Sequence, residues 1–73
     1  MVFKGVITSN TVWQGVLNES YSAGWTYRVS GASGFVLNDE NGVAKFYVEP
    51  GDLVICVIDK AGSTKDASQW IVA

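Results

Sequence analysis

Glu49-Pro50-Gly51-Asp52-Leu53-Val54-Ile55-Cys56-Val57-Ile58 sets a rigid turn directly before six consecutive apolar residues. Proline presets φ at the first central position of a type II turn and glycine accepts the positive φ at the second, so the chain should reverse at Pro50-Gly51. Leu53 to Ile58 then reads as a central strand covered on both faces. In a chain of 73 residues, one sheet side covered by the protein's own residues leaves the other in need of a partner surface.

The composition points the same way. A domain this small gains barely more from burial than it loses in chain entropy, so it needs a staple. Cys56 is the single cysteine and histidine is absent, which rules out an internal disulfide and leaves poor material for a metal site. Oligomerisation or attachment to a larger polypeptide remains. Charged residues make up 16% of the chain, below the roughly 25% of an average domain, which leaves more surface free for contacts. The net charge is −2, with Lys4, Arg28, Lys45, Lys60 and Lys65 scattered along the chain. No basic stripe is present, so nucleic acid is not an expected partner. The N-terminal residues lack the pattern of a secretory leader, and no stretch approaches the roughly 20 apolar residues of a membrane span. The expectation is a protein made in a cytoplasm, with no membrane insertion.

Working outward from the central run, eight glycines and one proline separate short β-rich segments, and no long window carries a 3.6-residue period. Val2 to Ile7 reads as a strand with Phe3 and Ile7 on one face and Val2, Lys4 and Val6 on the other. Thr11 to Val16 reads as a possible second strand weakened by Gly15, and Asn18 to Ala23 as a loop. Trp25, Tyr27 and Val29 alternate with Thr26, Arg28 and Ser30, the cleanest period of two in the chain. Phe35 to Leu37 and Val43 to Glu49 form a hairpin around the turn residues Asn38 to Gly42. Asp59 to Ser68 is loop-like, and Gln69 to Ala73 is a closing strand. The fold class expected is all-β: a small antiparallel β-sandwich or barrel-like module of about six short strands, oligomeric, with residues 1–73 as one domain. That domain is either a standalone subunit or a module of a longer fibre protein.

Catalytic chemistry is scarce. Without histidine the commonest general base is missing, and Cys56 has no imidazole to activate it. No spacing among the seven carboxylates nominates an acid/base pair. Asn38 to Gly42 does not place oxygen ligands in calcium-loop register, and Gly31, Gly34 and Gly42 fit no phosphate-binding pattern. The expectation is no enzyme, no catalytic residue, no cofactor and no metal. Aromatic side chains are the remaining contact chemistry. Trp25, Tyr27 and Trp70 lie on alternating strands and read as core. Trp13, Tyr21 and Tyr47 lie in or opposite polar stretches and are the candidates for subunit-interface or ligand contact.

Phe3-Lys4-Gly5, Gly24-Trp25-Thr26-Tyr27-Arg28-Val29, Glu49-Pro50-Gly51-Asp52-Leu53-Val54-Ile55-Cys56 and Ser68-Gln69-Trp70-Ile71-Val72 together resemble a small β domain that recurs in tailed-phage virion proteins. These are head-fibre, capsid-decoration and tail-fibre polypeptides. The family pattern runs F-K-G, [GW]-x-T-Y-R-V, a glycine-rich hairpin, E-x-G-D-L-I-[IA]-C, a polar loop and [DN]-W-x-V. The resemblance spans nearly the whole chain in order. It departs at the longer hairpin Phe35 to Phe46 and at Ser68-Gln69 before Trp70. It implies a bacteriophage virion structural protein, a capsid decoration or head-fibre module assembling on a symmetric particle. It implies copies of itself, with a trimer favoured, and other virion proteins as partners. The alternative is a receptor- or carbohydrate-binding module of a tail fibre, whose partner is a host surface glycan.

Overall fold

The computed structural model describes residues 1–60 and 64–73. Among these residues six strands and one short helix follow in the order β1 (Val2–Ile7), α1 (Asn10–Leu17), β2 (Trp25–Val29), β3 (Phe35–Asn38), β4 (Ala44–Val48), β5 (Leu53–Cys56) and β6 (Trp70–Val72), with a 3-10 turn at Ala67–Gln69 before β6. A four-stranded sheet has the order β1-β2-β5-β6, and β3 and β4 form a separate two-stranded sheet. The molecule is therefore mostly β in two sheets, as the short alternating runs suggest. Residues 61–63 of the expected Asp59 to Ser68 loop lie outside the described residues.

Two features depart from the antiparallel all-β expectation. The segment Thr11 to Val16 lies in a helix, not a strand, and the strands on either side of it, β1 and β2, pair in parallel. Parallel neighbours need a crossover connection, and α1 supplies it. The helix does carry local signals. Ser9 is extended and its Oγ accepts the Val12 N–H at 3.3 Å, a helix N-cap. Trp13, Val16 and Leu17 share one face at the i, i+3, i+4 spacing, and all three are buried. Eight residues rich in β-branched side chains would not hold a helix in water. Tertiary contacts supply what propensity lacks.

The Trp13 indole is the main such contact. It meets Trp70 edge-on at 5.2 Å between ring centres and Phe46 at 6.4 Å, while its Nε1–H donates to the Asn38 carbonyl at 2.7 Å. Gln14 Nε2 donates to the same carbonyl at 3.0 Å, and Asn10 Oδ1 accepts the Asn38 N–H at 2.8 Å. The helix is thus bolted to the end of β3. At its other end Lys60 Nζ donates to the Leu17 and Glu19 carbonyls at 3.1 and 3.0 Å, satisfying acceptors that the helix leaves open.

The turn at Glu49 to Asp52 forms as its sequence specifies. Asp52 N–H donates to the Glu49 carbonyl at 3.0 Å, and Gly51 sits at φ +99°. Gly51 N–H and Asp52 C=O both bond to Val29, each at 2.8 Å, so the turn hands the chain from β4 to β5 beside the end of β2. The strand that follows ends at Cys56, two residues earlier than the apolar run, and Val57 and Ile58 are exposed. Cys56 is buried, its Sγ 3.1 Å from the Ile58 carbonyl, and burial pushes its thiol pKa up. A small core thiol is the result.

Asp66 Oδ1 accepts from the Ser68 N–H and Oγ–H at 2.9 and 2.7 Å, and these bonds hold its carboxyl below its ordinary value of 3.8. A carboxyl whose pKa is lowered by folding contributes stability that is whole above 3.8 and fades as the pH falls through it. Asp66→Asn should flatten the acid limb of a stability-versus-pH curve below about pH 4 and leave its neutral shape unchanged; an unaltered acid limb contradicts the assignment.

The two core tryptophans differ in one respect. Trp13 Nε1 has its acceptor, whereas among the described residues the buried Trp70 Nε1–H has none. Trp13→Phe should therefore destabilise more than Trp70→Phe, by about 0.5–1.5 kcal/mol in urea unfolding, because only the first change removes a made hydrogen bond while Gln14 keeps the Asn38 carbonyl satisfied. Equal losses would contradict the bond.

Candidate functional site

Strand register decides which side of the four-stranded sheet meets the core. Tyr27 and Val29 of β2, Val54 and Cys56 of β5 and Trp70 of β6 point inward, join Leu37 and Val48 of the hairpin in one cluster, and are covered there by α1. The alternate residues form the opposite face. Phe3 lies beside Thr26, Thr26 beside Ile55, and Ile55 beside Ile71; in the next row Val6 lies beside Arg28 and Arg28 beside Leu53.

A bulge between Phe3 and Gly5 changes the pattern expected for β1. Strict alternation puts Phe3 with Ile7. One extra residue, Lys4, reverses the parity, so Ile7 is buried and Phe3 joins Val6 on the outer side. The Lys4 ammonium then rests 4.1 Å from the Trp25 ring centre.

The outer face is apolar, and among the described residues no element lies over it. Phe3 is 60% exposed and Ile71 47%, with Val6 and Val57 also exposed and Leu53 and Ile55 partly so. Thr26 is fully buried between its neighbours, its Oγ–H donating to the Gly24 carbonyl at 3.0 Å. Among the described residues paired across this face, Arg28 is the one charged side chain. The expectation that the strand at Leu53 is covered on both sides is thus met on one side only.

The three aromatic candidates do not come together. Trp13 and Tyr21 are buried, Trp13 as the joint between α1 and the hairpin and Tyr21 as a tie for the segment before β6. The Tyr21 hydroxyl accepts the Asp66 N–H at 3.0 Å and donates to Gln69 Oε1, and its ring packs on Trp70 at 5.0 Å. A polar sequence context conceals both, because each spends its polar atom on backbone or amide partners inside the fold. Both rings belong to the core cluster in this conformation. Tyr47 is 65% exposed on the outer side of the hairpin, beside Val36 in register.

The hairpin back is a second exposed surface, where Tyr47 and Val36 stand out side by side while Phe46 and Val48 turn inward, and Lys45 is left unpaired at a bulge opposite Leu37 and Asn38. Tyr47 is held there by Gly34, where an added Cβ would overlap its hydroxyl oxygen and lie 2.9 Å from the Val48 carbonyl. Among the described residues no cluster of three or more histidine, cysteine, aspartate or glutamate side chains could hold a metal, and no enclosed pocket is present. Among the same residues no helix is long and apolar enough to cross a membrane. No protein-family model, curated protein or solved structure matches the chain.

Gly34→Ala should cost about 1–3 kcal/mol, as overpacking does, and should move the Tyr47 ring. Adding Tyr47→Ala should recover part of that loss but not all, since the Val48 carbonyl remains close. A double-mutant cycle with no coupling between the two sites would show that the ring does not lie over Gly34.

Proposed function

We propose that this chain is a non-enzymatic assembly module of a tailed-phage virion, a capsid-decoration or head-fibre element that attaches through the outer face of its four-stranded sheet. The observation that carries the reading is that face itself, where Phe3, Val6, Leu53, Ile55 and Ile71 surround a single charge, Arg28. A small domain gains by covering such a surface, and interface cores are apolar with few charges and enriched in aromatic residues and arginine. The four sequence blocks that resemble phage virion proteins supply the biological setting. Phe3, Arg28, Leu53, Ile55 and Ile71 all fall within those blocks. Attachment of this kind works by repetition, in which weak contacts at many equivalent positions sum to firm binding.

A second reading, a receptor- or carbohydrate-binding module of a tail fibre, is favoured by one observation, the exposed ring of Tyr47. A sugar platform stacks on aromatic faces, and the other two candidates, Trp13 and Tyr21, are in the core. Assembly is therefore the better supported of the two.

The test uses particles grown from a genome that carries the gene. Mass spectrometry of purified virions should find the chain at a fixed high copy number. A Phe3→Asp, Ile71→Asp variant should remain folded by circular dichroism yet fall at least tenfold in particle copy number, because both side chains are already solvent-exposed in the monomer. Absence of the wild-type chain from particles, or full retention of the folded variant, overturns the proposal. Tyr47→Ala that keeps attachment but abolishes host adsorption would transfer the function to the second reading.

A further inference from the structure

We infer that copies of this chain stack head to tail, the hairpin back of one seated on the outer sheet face of the next. The inference rests on the assembly reading and names the partner of that same face. Both sheets contribute their inner sides to one core, so their outer sides point away from each other. Each outer side carries exposed apolar residues: Phe3, Val6 and Ile71 on the larger sheet, Val36 and Tyr47 on the hairpin.

Charge selects between the two ways of pairing these surfaces. Face-to-face packing of two large sheets would bring Arg28 of each copy into the same apolar contact, two like charges with no carboxylate between them. Face-to-back packing offers Arg28 a carboxylate. Glu49 is exposed at the turn that leaves the hairpin, one residue past β4, and among the described residues neither its carboxylate nor the Arg28 guanidinium takes part in a side-chain hydrogen bond. The two groups also share one end of the molecule. Arg28 pairs with Leu53, and the Glu49-to-Asp52 turn that leads into Leu53 is bonded to Val29. Stacking by simple translation therefore brings the Glu49 of one copy toward the Arg28 of its neighbour. Lys45, four residues along the chain from Glu49, is the unpaired residue of a bulge opposite Leu37 and Asn38, and its ammonium lies 5.9 Å from the ring centre of the inward Phe46. An arginine–carboxylate pair can close with two parallel hydrogen bonds, which fixes register as well as adding attraction.

The contact joins two different surfaces that point in opposite directions. Such a heterologous contact grows as an open stack, whereas a symmetric dimer is isologous and stops at two.

Sedimentation velocity and light scattering of the purified chain, from about 10 µM to 1 mM, test the inference over the range where contacts of modest strength are populated. The average mass should rise continuously past three copies. Arg28→Glu and Glu49→Arg should each reduce assembly at least fivefold when alone, and an equimolar mixture of the two variants should restore it. In the mixture the variants alternate along the stack. The carboxylate that R28E carries on its sheet face meets the guanidinium that E49R carries on its hairpin back, and at the next junction the native Arg28 of one meets the native Glu49 of the other. A strict monomer at 1 mM, a plateau at two or three copies, normal assembly by Glu49→Arg alone, or a mixture that fails to recover would each overturn head-to-tail stacking. The particle copy number of the Phe3 and Ile71 variant is read separately, so attachment to a virion can stand where self-stacking fails.

Discussion

The position of Trp13 is the constraint on which the other elements depend. Its ring is wedged between Trp70 of the large sheet and Phe46 of the hairpin, and its one polar atom is spent on the Asn38 carbonyl. Three elements that share no strand pairing meet at this side chain. The two sheets have separate hydrogen-bond ladders, so the hairpin is fixed against the four-stranded sheet by the covalent turn at Pro50-Gly51 and by the packing around α1. Edge-on aromatic contacts with ring centres near 5 Å have a narrow preferred geometry, which sets an angle as well as a distance. A helix too short to be stable alone becomes the element that sets the relation between both sheets.

One consequence is a division of labour between the two sides of the large sheet. The inner side holds Trp70, Tyr27, Val54 and Cys56 beneath the helix and hairpin. The helix and the hairpin are both spent on that side, and among the described residues no element lies over the outer one. The same scarcity that makes a small domain marginal leaves an apolar face in water. Proteins ordinarily blunt exposed β surface with charge, and this face has a single arginine where several charges would be expected.

Much of the fold is legible in the sequence because period-two alternation is a local signal. Trp25 to Val29 and the hairpin around Asn38 to Gly42 fold as their patterns specify, and Pro50-Gly51 makes its turn with residues whose φ preferences are nearly unconditional. The helix is hidden for a physical reason. Thr11, Val12, Gly15 and Val16 have poor helix propensity, and eight residues are too few for periodicity to outweigh it. The informative signs are Ser9 as a cap and the spacing of Trp13, Val16 and Leu17, which only packing converts into a helix. The parallel pairing of β1 and β2 follows from that helix and has no signal of its own. Trp13 and Tyr21 escape a sequence reading for the related reason that polar sequence neighbours do not imply an exposed ring. Both project into the core while their neighbours remain in solvent.

The outer face is the least legible feature, because it depends on one inserted residue. Without the bulge at Lys4, Phe3 would alternate onto the inner side with Ile7, and among the described residues paired across the outer face no aromatic would remain. With the bulge, the F-K-G block acquires a physical role: the phenylalanine is turned outward, the lysine is folded back over Trp25, and glycine occupies the position at φ +149° that other residues adopt with strain. A block that from sequence looks like an ordinary edge strand thus puts an aromatic side chain on the outer face of the sheet. The apolar run at Leu53 supplies the floor of that surface through Leu53 and Ile55, while Val54 and Cys56 anchor it to the core. The run is apolar on both faces, yet the protein's own interior covers one of them: Val54 and Cys56 are buried, whereas Leu53 and Ile55 stay partly exposed.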